Sequence, residues 1–203
     1  MSVGPPSFVR RAPDPNQPLG GKARGFTVTN LLSYMKEKYG ERAATDFVAS
    51  LPRAMAEPIE NRQVLAVSWV PIEMYYAGVQ FLVNRFHAGH PFAARAIGHD
   101  LASKDIGVIY RAALSFMTPA MIIGLSGRFW GNYFDRGALK VHKSEPGRVA
   151  GVLEKWPYTD ETTANEVGGS LLAWLEHCRA KNVALVEMQV IAEDTISFQI
   201  AYQ

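Results

Sequence analysis

The sequence predicts an α+β fold, a helical N-terminal half packed on a C-terminal twisted antiparallel sheet of ββαββ order. Three observations carry this. From Leu31 to Tyr133 apolar residues recur at three- and four-residue steps, the period of an α-helix. From Leu139 they alternate, as in "ALKVHKSEPGRVAGVLEKW", the period of a strand. One more helical stretch, "TANEVGGSLLAWLEHCRAKN", separates this hairpin from a second alternating pair. A sheet that begins where the helices stop gives their apolar faces a surface to pack on.

Residues Met1 to Lys22 hold five of the 12 prolines among Gly, Asp, Asn and Gln, with no apolar period. They read as a flexible or extended arm. The division expected is an arm over residues 1–24 and a single domain over 25–203.

The first helix is "TNLLSYMKEKYG", with Thr29 as its cap, Leu31, Leu32, Met35 and Tyr39 on one face, and Gly40 as its end. Ala43 to Leu51 is a second, stopped by Pro52. Val64 to Val67 is a short strand or an extended connection. Pro71 opens a long helix to His87, with Ile72, Tyr75, Tyr76, Val79, Leu82, Val83 and Phe86 as its stripe. Pro91 opens the next. Ile106, Tyr110, Ala113, Leu114 and Met117 mark another. Thr118-Pro119 caps and starts a helix carrying Ile122, Leu125, Phe129 and Tyr133. Gly124, Gly127 and Gly131 share that helix at about 1 kcal/mol each against alanine. The return is close approach of another backbone, or a break near Gly124.

Leu139 and Val141 open the first hairpin, Pro146-Gly147 suits a type II turn, and Val149, Gly151 and Leu153 lead back. Thr163 and Glu166 match a capping box for the helix that carries Val167, Leu171, Trp174, Leu175 and Cys178. Val183 to Val190 and Thr195 to Tyr202 are the closing strands.

The totals exclude some classes. With 21 basic and 19 acidic residues the net charge is only +2, which argues for neither nucleic acid nor acidic lipid. A single cysteine, Cys178, forms no internal disulfide. No stretch reads as a signal peptide, and the longest apolar run, "AALSFMTPAMIIGL", is short for a bilayer and holds Pro119. The expected location is the cytoplasm.

The phrases "GHPFAARAIGHDLASKDIGVIYR" and "FMTPAMIIGLSGRFWGNYFDRG", then "GGSLLAWLEHC" and two closing strands, resemble a large paralogous family of myxobacteria, domain of unknown function 2378. The resemblance covers about Gly25 to Gln203. That family is similar to the 4-vinyl-reductase-type small-molecule-binding domain, in a wider group with subunits of the TRAPP trafficking complex and the haem nitric-oxide/oxygen-binding sensors. The resemblance implies helices against a twisted antiparallel sheet, a sensing or assembly role, often a dimer, and in several members an apolar pocket between helices and sheet. Vinyl-reductase-type domains often carry cysteines in the closing hairpin; here Gln189 and Ser197 stand in a stretch without one. The Tyr-x-Ser-x-Arg motif with which haem sensors hold propionates is also absent.

Among candidate sites, His87 and His90 are three apart, a spacing that suits one metal ion. Gly89 and Pro91 place His90 at a helix end, however, and no local Cys or carboxylate completes the set. No metal site is expected. His99 and His87 are the candidate axial ligands of the haem alternative. The other reading is a partly buried His99 bonded to a backbone carbonyl, and a His87 favoured near its helix C-terminus by the dipole. Ser126 in "GLSGR" lacks the spacing of a nucleophile elbow. Cys178 reads as a small buried hydrophobe. Tyr75, Tyr76, Tyr110, Phe129, Trp130 and Tyr133 are aromatics that suit a largely apolar ligand site, and core packing explains most of them equally well. Lys140, His142, Lys143 and Arg148 form a basic patch on the first hairpin, a solvated face or an anionic-partner surface.

The function expected is a non-enzymatic regulatory or sensory module. It acts on a protein partner, as a homodimer through Gly124, Gly127 and Gly131, with a small apolar ligand as an option. No cofactor is expected in the main reading; haem and gas sensing are the alternative.

Overall fold

The computed structural model describes residues 11–106, 116–145, 147–178 and 180–203, with the backbone alone over 141–145. The described residues form seven helices and six strands. A mainly helical first half followed by a ββαββ unit is as expected, whereas the strands Lys22–Arg24 and Trp69–Pro71 and the helix Arg53–Glu60 lie outside the expectation.

Before the first helix the chain already lies against the domain. The Arg11 carbonyl accepts from the backbone nitrogens of Thr159 and Asp160 at 3.0 and 3.3 Å. The Leu19 nitrogen donates to the Tyr158 hydroxyl at 3.3 Å. Lys22–Arg24, at the end of the expected arm, form β1, which pairs antiparallel with β2 (Trp69–Pro71).

Helix α1 (Gly25–Tyr39) starts four residues before Thr29. Its first nitrogens need no side-chain cap. Gly25 donates to the Ser68 carbonyl at 2.8 Å and Phe26 to the Ala66 carbonyl at 3.1 Å. Thr29 instead turns its hydroxyl back on the Phe26 carbonyl at 3.2 Å. A Cβ on Gly25 would stand 2.0 Å from the Leu65 carbonyl oxygen, so only glycine lets loop and helix meet. The Val64–Val67 segment is that loop, turned by a bond from the Ser68 nitrogen to the Leu65 carbonyl, and not a strand.

Helices α2 (Glu41–Ser50) and α3 (Arg53–Glu60) follow, separated by the Leu51-Pro52 break. Helix α4 (Ile72–Phe86) buries Ile72, Tyr75, Tyr76, Val79, Leu82 and Val83, as its period predicts, while Phe86 at its end is exposed and stacks on Tyr39 at 4.3 Å. Helix α5 spans Ala93–Asp105. The helix expected from Ile106 to Met117, including Tyr110, falls mostly on 107–115, outside the described residues. Helix α6 (Pro119–Tyr133) is capped by the Thr118 hydroxyl, as expected.

The four-stranded sheet has order β3 (Ala138–Glu145), β4 (Arg148–Glu154), β6 (Thr195–Ala201), β5 (Ala184–Ala192), all antiparallel. Its covered face presents Leu139, Val149, Leu153, Ile196, Phe198 and Ile200, all buried.

Helix α7 (Glu161–Glu176) is the centre of the molecule, with twelve of its 16 residues buried. Its cap is Asp160, whose carboxylate accepts from the Thr162 nitrogen at 3.1 Å. The capping box expected from Thr163 and Glu166 does not form, because the cap sits three residues earlier at Asp160 and Glu166 faces the core. Sheet residues Leu185 and Met188 press on Gly168. On the other side α5 crosses so closely that a Cβ on Gly98 would stand 2.2 Å from the Glu166 carbonyl oxygen. One on Gly169 would stand 1.9 Å from that of Arg95. These two glycines let α5 and α7 cross in backbone contact.

Candidate functional site

Where α1, α5, α6 and α7 converge they leave a cavity of about 470 Å³. Its apolar wall is built by Phe26 of α1, Ile122 and Phe129 of α6, and Trp174 of α7, with Ile106 just past α5. Tyr133 sits among them. Its ring meets Phe26 edge-on at 4.9 Å and lies 5.6 Å from Trp174, which in turn takes Phe129 edge-on at 5.6 Å. Arg24, Asn30, Asp105 and Asn132 supply the polar part. The proportion, rings and aliphatics with a few polar groups, is that of an organic ligand site.

Two polar groups are differently placed. Arg24 stacks its guanidinium 4.0 Å above the Trp69 ring and donates to the Val67 carbonyl at 2.8 Å. Asp105, the last residue of α5, takes a hydrogen bond from Asn30 Nδ2 at 2.5 Å. Desolvation pushes its carboxyl up to about 7, the Glu166 charge adds to the rise, and Asn30 and Lys104 offset only part of it. The Lys104 ammonium is turned toward α1, onto Glu37 at 2.6 Å and Ser33 at 2.9 Å.

A void of about 20 Å³, bounded by Asp105, Tyr75, Glu166 and Trp174 among others, adjoins this polar end. Beyond it Glu166 is buried in α7. Tyr75 and Tyr76 donate to its two oxygens at 2.8 and 2.9 Å, and Ser170 lies 3.0 Å from the first. Burial raises the Glu166 carboxyl although these three donors pull it down. Both tyrosines are held far above their ordinary range, by burial first and by the Glu166 charge second. A second buried carboxylate, Glu73, accepts from Tyr158, and its Oε2 has no hydrogen-bond partner.

The sequence candidates divide accordingly. Phe129 and Tyr133 line the cavity. Tyr75 borders only the small void. Trp130 also borders that void, packs edge-on against Trp156 at 4.9 Å and donates to the Arg136 carbonyl at 3.0 Å, and Tyr76 belongs to the core. Tyr110 lies outside the described residues. His99 meets Glu176 at 2.7 Å and His87 meets Tyr39 at 2.9 Å, and neither lines the cavity. Among the described residues no group of three His, Cys, Asp or Glu side chains is placed to hold a metal ion. Gly124 and Gly131 face open space, whereas a Cβ on Gly127 would stand 3.1 Å from the Leu139 carbonyl oxygen of β3. Within the basic patch Lys140 pairs with Glu154 at 2.5 Å, and the side chains of His142 and Lys143 lie outside the described residues.

Sequence reasoning missed Asp105, Asn30 and Trp174 as cavity residues and gave Glu166 a capping role. A signal for Glu166 was present. It is one turn from Gly169 and two from Ala173, so a carboxylate shares a helix face with small residues that invite another helix.

No family model matches the chain, and no curated protein matches it. Solved structures do. An H-NOX protein from S. oneidensis, a mutant in the Fe(II) ligation state, superposes with a TM-score of 0.66 at 11% identity over 89% of this chain and 96% of that one. The unliganded Fe(II) H-NOX protein from K. algicida gives 0.63 at 10% over the same shares. An oxygen-binding H-NOX domain related to soluble guanylate cyclases, in its oxygen complex, gives 0.61 at 8% over 89% and 95%. The chain shares the fold of the H-NOX domains, the haem-sensor branch of the group anticipated from its sequence.

Proposed function

We propose that this protein is a non-enzymatic sensory domain that takes a small, largely apolar organic ligand in the cavity between α1, α5, α6 and α7 and signals to a protein partner. The observation that carries the reading is the cavity, a volume of about 470 Å³ walled by four rings and two aliphatic side chains. Pockets of this size bury most of a small organic molecule. The shared fold with sensor domains supports it by analogy. The finer parts of the reading are membership in the myxobacterial family, kinship with vinyl-reductase-type domains, and a homodimer through the exposed glycines of α6.

The test is native mass spectrometry of the purified protein beside its denatured mass, in wild type and in Ile122→Trp, which fills the cavity. Retained mass that the variant loses supports the reading. Retained mass that the variant keeps places any ligand elsewhere and overturns it.

The neighbours favour a second reading, haem, since each is an H-NOX protein. The residues do not fit it in the way expected. His87 and His99 are engaged on the surface by Tyr39 and Glu176, away from the cavity. The described lining contains no histidine, cysteine or methionine, and residues 107–115 contain none either. Added haemin should therefore give no Soret band that His87→Ala or His99→Ala abolishes. A band lost in either variant would restore the haem reading.

A further inference from the structure

The cavity has two charged residues, and they are not equivalent. Arg24 is already stacked on Trp69 and bonded to Val67, and it lies partly in solvent, where its field is screened. Asp105 ends α5 against the cavity with one neutral donor, Asn30, on one of its two oxygens. An ionised carboxylate can accept about four hydrogen bonds. No ion pair to Asp105 forms among the described residues. Its nearest cation in sequence, Lys104, is committed to Glu37 and Ser33.

Among the described residues, no other element packed around Asp105 brings a cation into contact with it. Asn30 from α1 is neutral. Tyr133 from α6 is a ring with a phenol. Tyr75 from α4 gives its proton to Glu166, and Glu166 from α7 is itself a carboxyl that raises Asp105 further. What a ligand can supply there is a positive charge carrying N–H donors. The rings of Phe26, Tyr133 and Trp174 beside it favour the same species, since π faces attract cations.

We infer that the cavity selects flat, ring-bearing ammonium compounds, with the rings among Phe26, Tyr133 and Trp174 and the ammonium on Asp105. This rests on the reading of the cavity as the ligand site. It goes further by assigning a charge to the ligand and a specificity-determining role to Asp105. Because the Asp105 carboxyl is raised to about 7, its hold on a cation strengthens as the pH climbs through that value.

Three probes of one shape decide it: 1-naphthylmethylammonium, 1-naphthalenemethanol and 1-naphthoate, titrated calorimetrically into the full chain at pH 6 and pH 8. At pH 8 the ammonium should bind roughly tenfold tighter than the alcohol, and the carboxylate weakest, the scale of one charge-assisted hydrogen bond. The ammonium's advantage should shrink at pH 6, while the alcohol's affinity stays level. Asp105→Asn should equalise ammonium and alcohol. The pH comparison in the wild type stands even should that variant not fold. If the alcohol or the carboxylate binds as tightly as the ammonium at pH 8, and Ile122→Trp abolishes that binding, the charge assignment is overturned and the cavity reading survives. If none binds at millimolar concentration, or Ile122→Trp changes nothing, both fall together.

Discussion

Tyr75 donates its phenolic proton to Oε1 of Glu166 at 2.8 Å, and the bond ties α4 to the central helix α7 inside the core. Tyr76, next in sequence, reaches Oε2 at 2.9 Å. Adjacent residues on a helix point about 100° apart. They converge on one carboxylate because Glu166 lies between them and its two oxygens part. Removing Tyr76 strands the buried Oε2, and removing Tyr75 leaves Oε1 with Ser170 alone. Tyr75→Phe and Tyr76→Phe should each lower stability by about 1–3 kcal/mol in urea unfolding. Tyr34→Phe, whose hydroxyl meets the more exposed Asp100 at 3.2 Å, should cost less than about 1 kcal/mol. Equal losses at the three positions would mean that the Glu166 bonds are not special.

The Asp105 carboxyl rises from 3.8 to about 7 on folding. Between those values the folded protein holds a proton that the unfolded chain has released. Stability therefore falls as the pH rises from about 4 to about 7, by an amount on the order of a few kcal/mol. Glu166 and Asp160, also raised by burial, tilt the curve the same way. Asp105→Asn should flatten the decline in melting temperature over that interval. A variant as steep as the wild type would remove Asp105 from the account.

Gly98 and Gly169 should tolerate no side chain. Each would drive a Cβ into a facing backbone carbonyl at 2.2 and 1.9 Å, and backbone cannot swing aside as a side chain does. Gly98→Ala and Gly169→Ala should each cost about 3 kcal/mol. Gly124→Ala should act in the opposite direction. Its Cβ meets nothing within 4 Å, so alanine should stabilise α6 by up to about 1 kcal/mol. Thermal melts of the three variants give the signs directly.

Cys178 is fully buried, its Sγ is 3.0 Å from the Leu175 carbonyl oxygen, and burial pushes its thiol up. Its reaction with an aromatic disulfide reagent should be about a hundredfold slower in the native protein than in denaturant. Prompt native labelling would show that this end of α7 opens readily.

The sequence alone determined the succession of a helical half and a ββαββ sheet, though not the strands β1 and β2 or helix α3. Helical and strand periods are local quantities, and the stripe on α4 and the Thr118 cap of α6 are written within a turn or two of themselves. Local signals were weaker at helix starts. Gly25 and Phe26 find their hydrogen-bond partners some forty residues away, and Asp160 takes the capping role that Thr163 could equally fill. The site was decided only in three dimensions. Phe26, Asp105, Tyr133 and Trp174 lie in or at the ends of four different elements, and no spacing along the chain brings them together. The glycines show the same division. The pattern in α6 draws the eye, but whether a missing Cβ matters depends on the atom opposite. For Gly98 and Gly169 that atom is a carbonyl of the partner helix, a fact set by the crossing of α5 and α7.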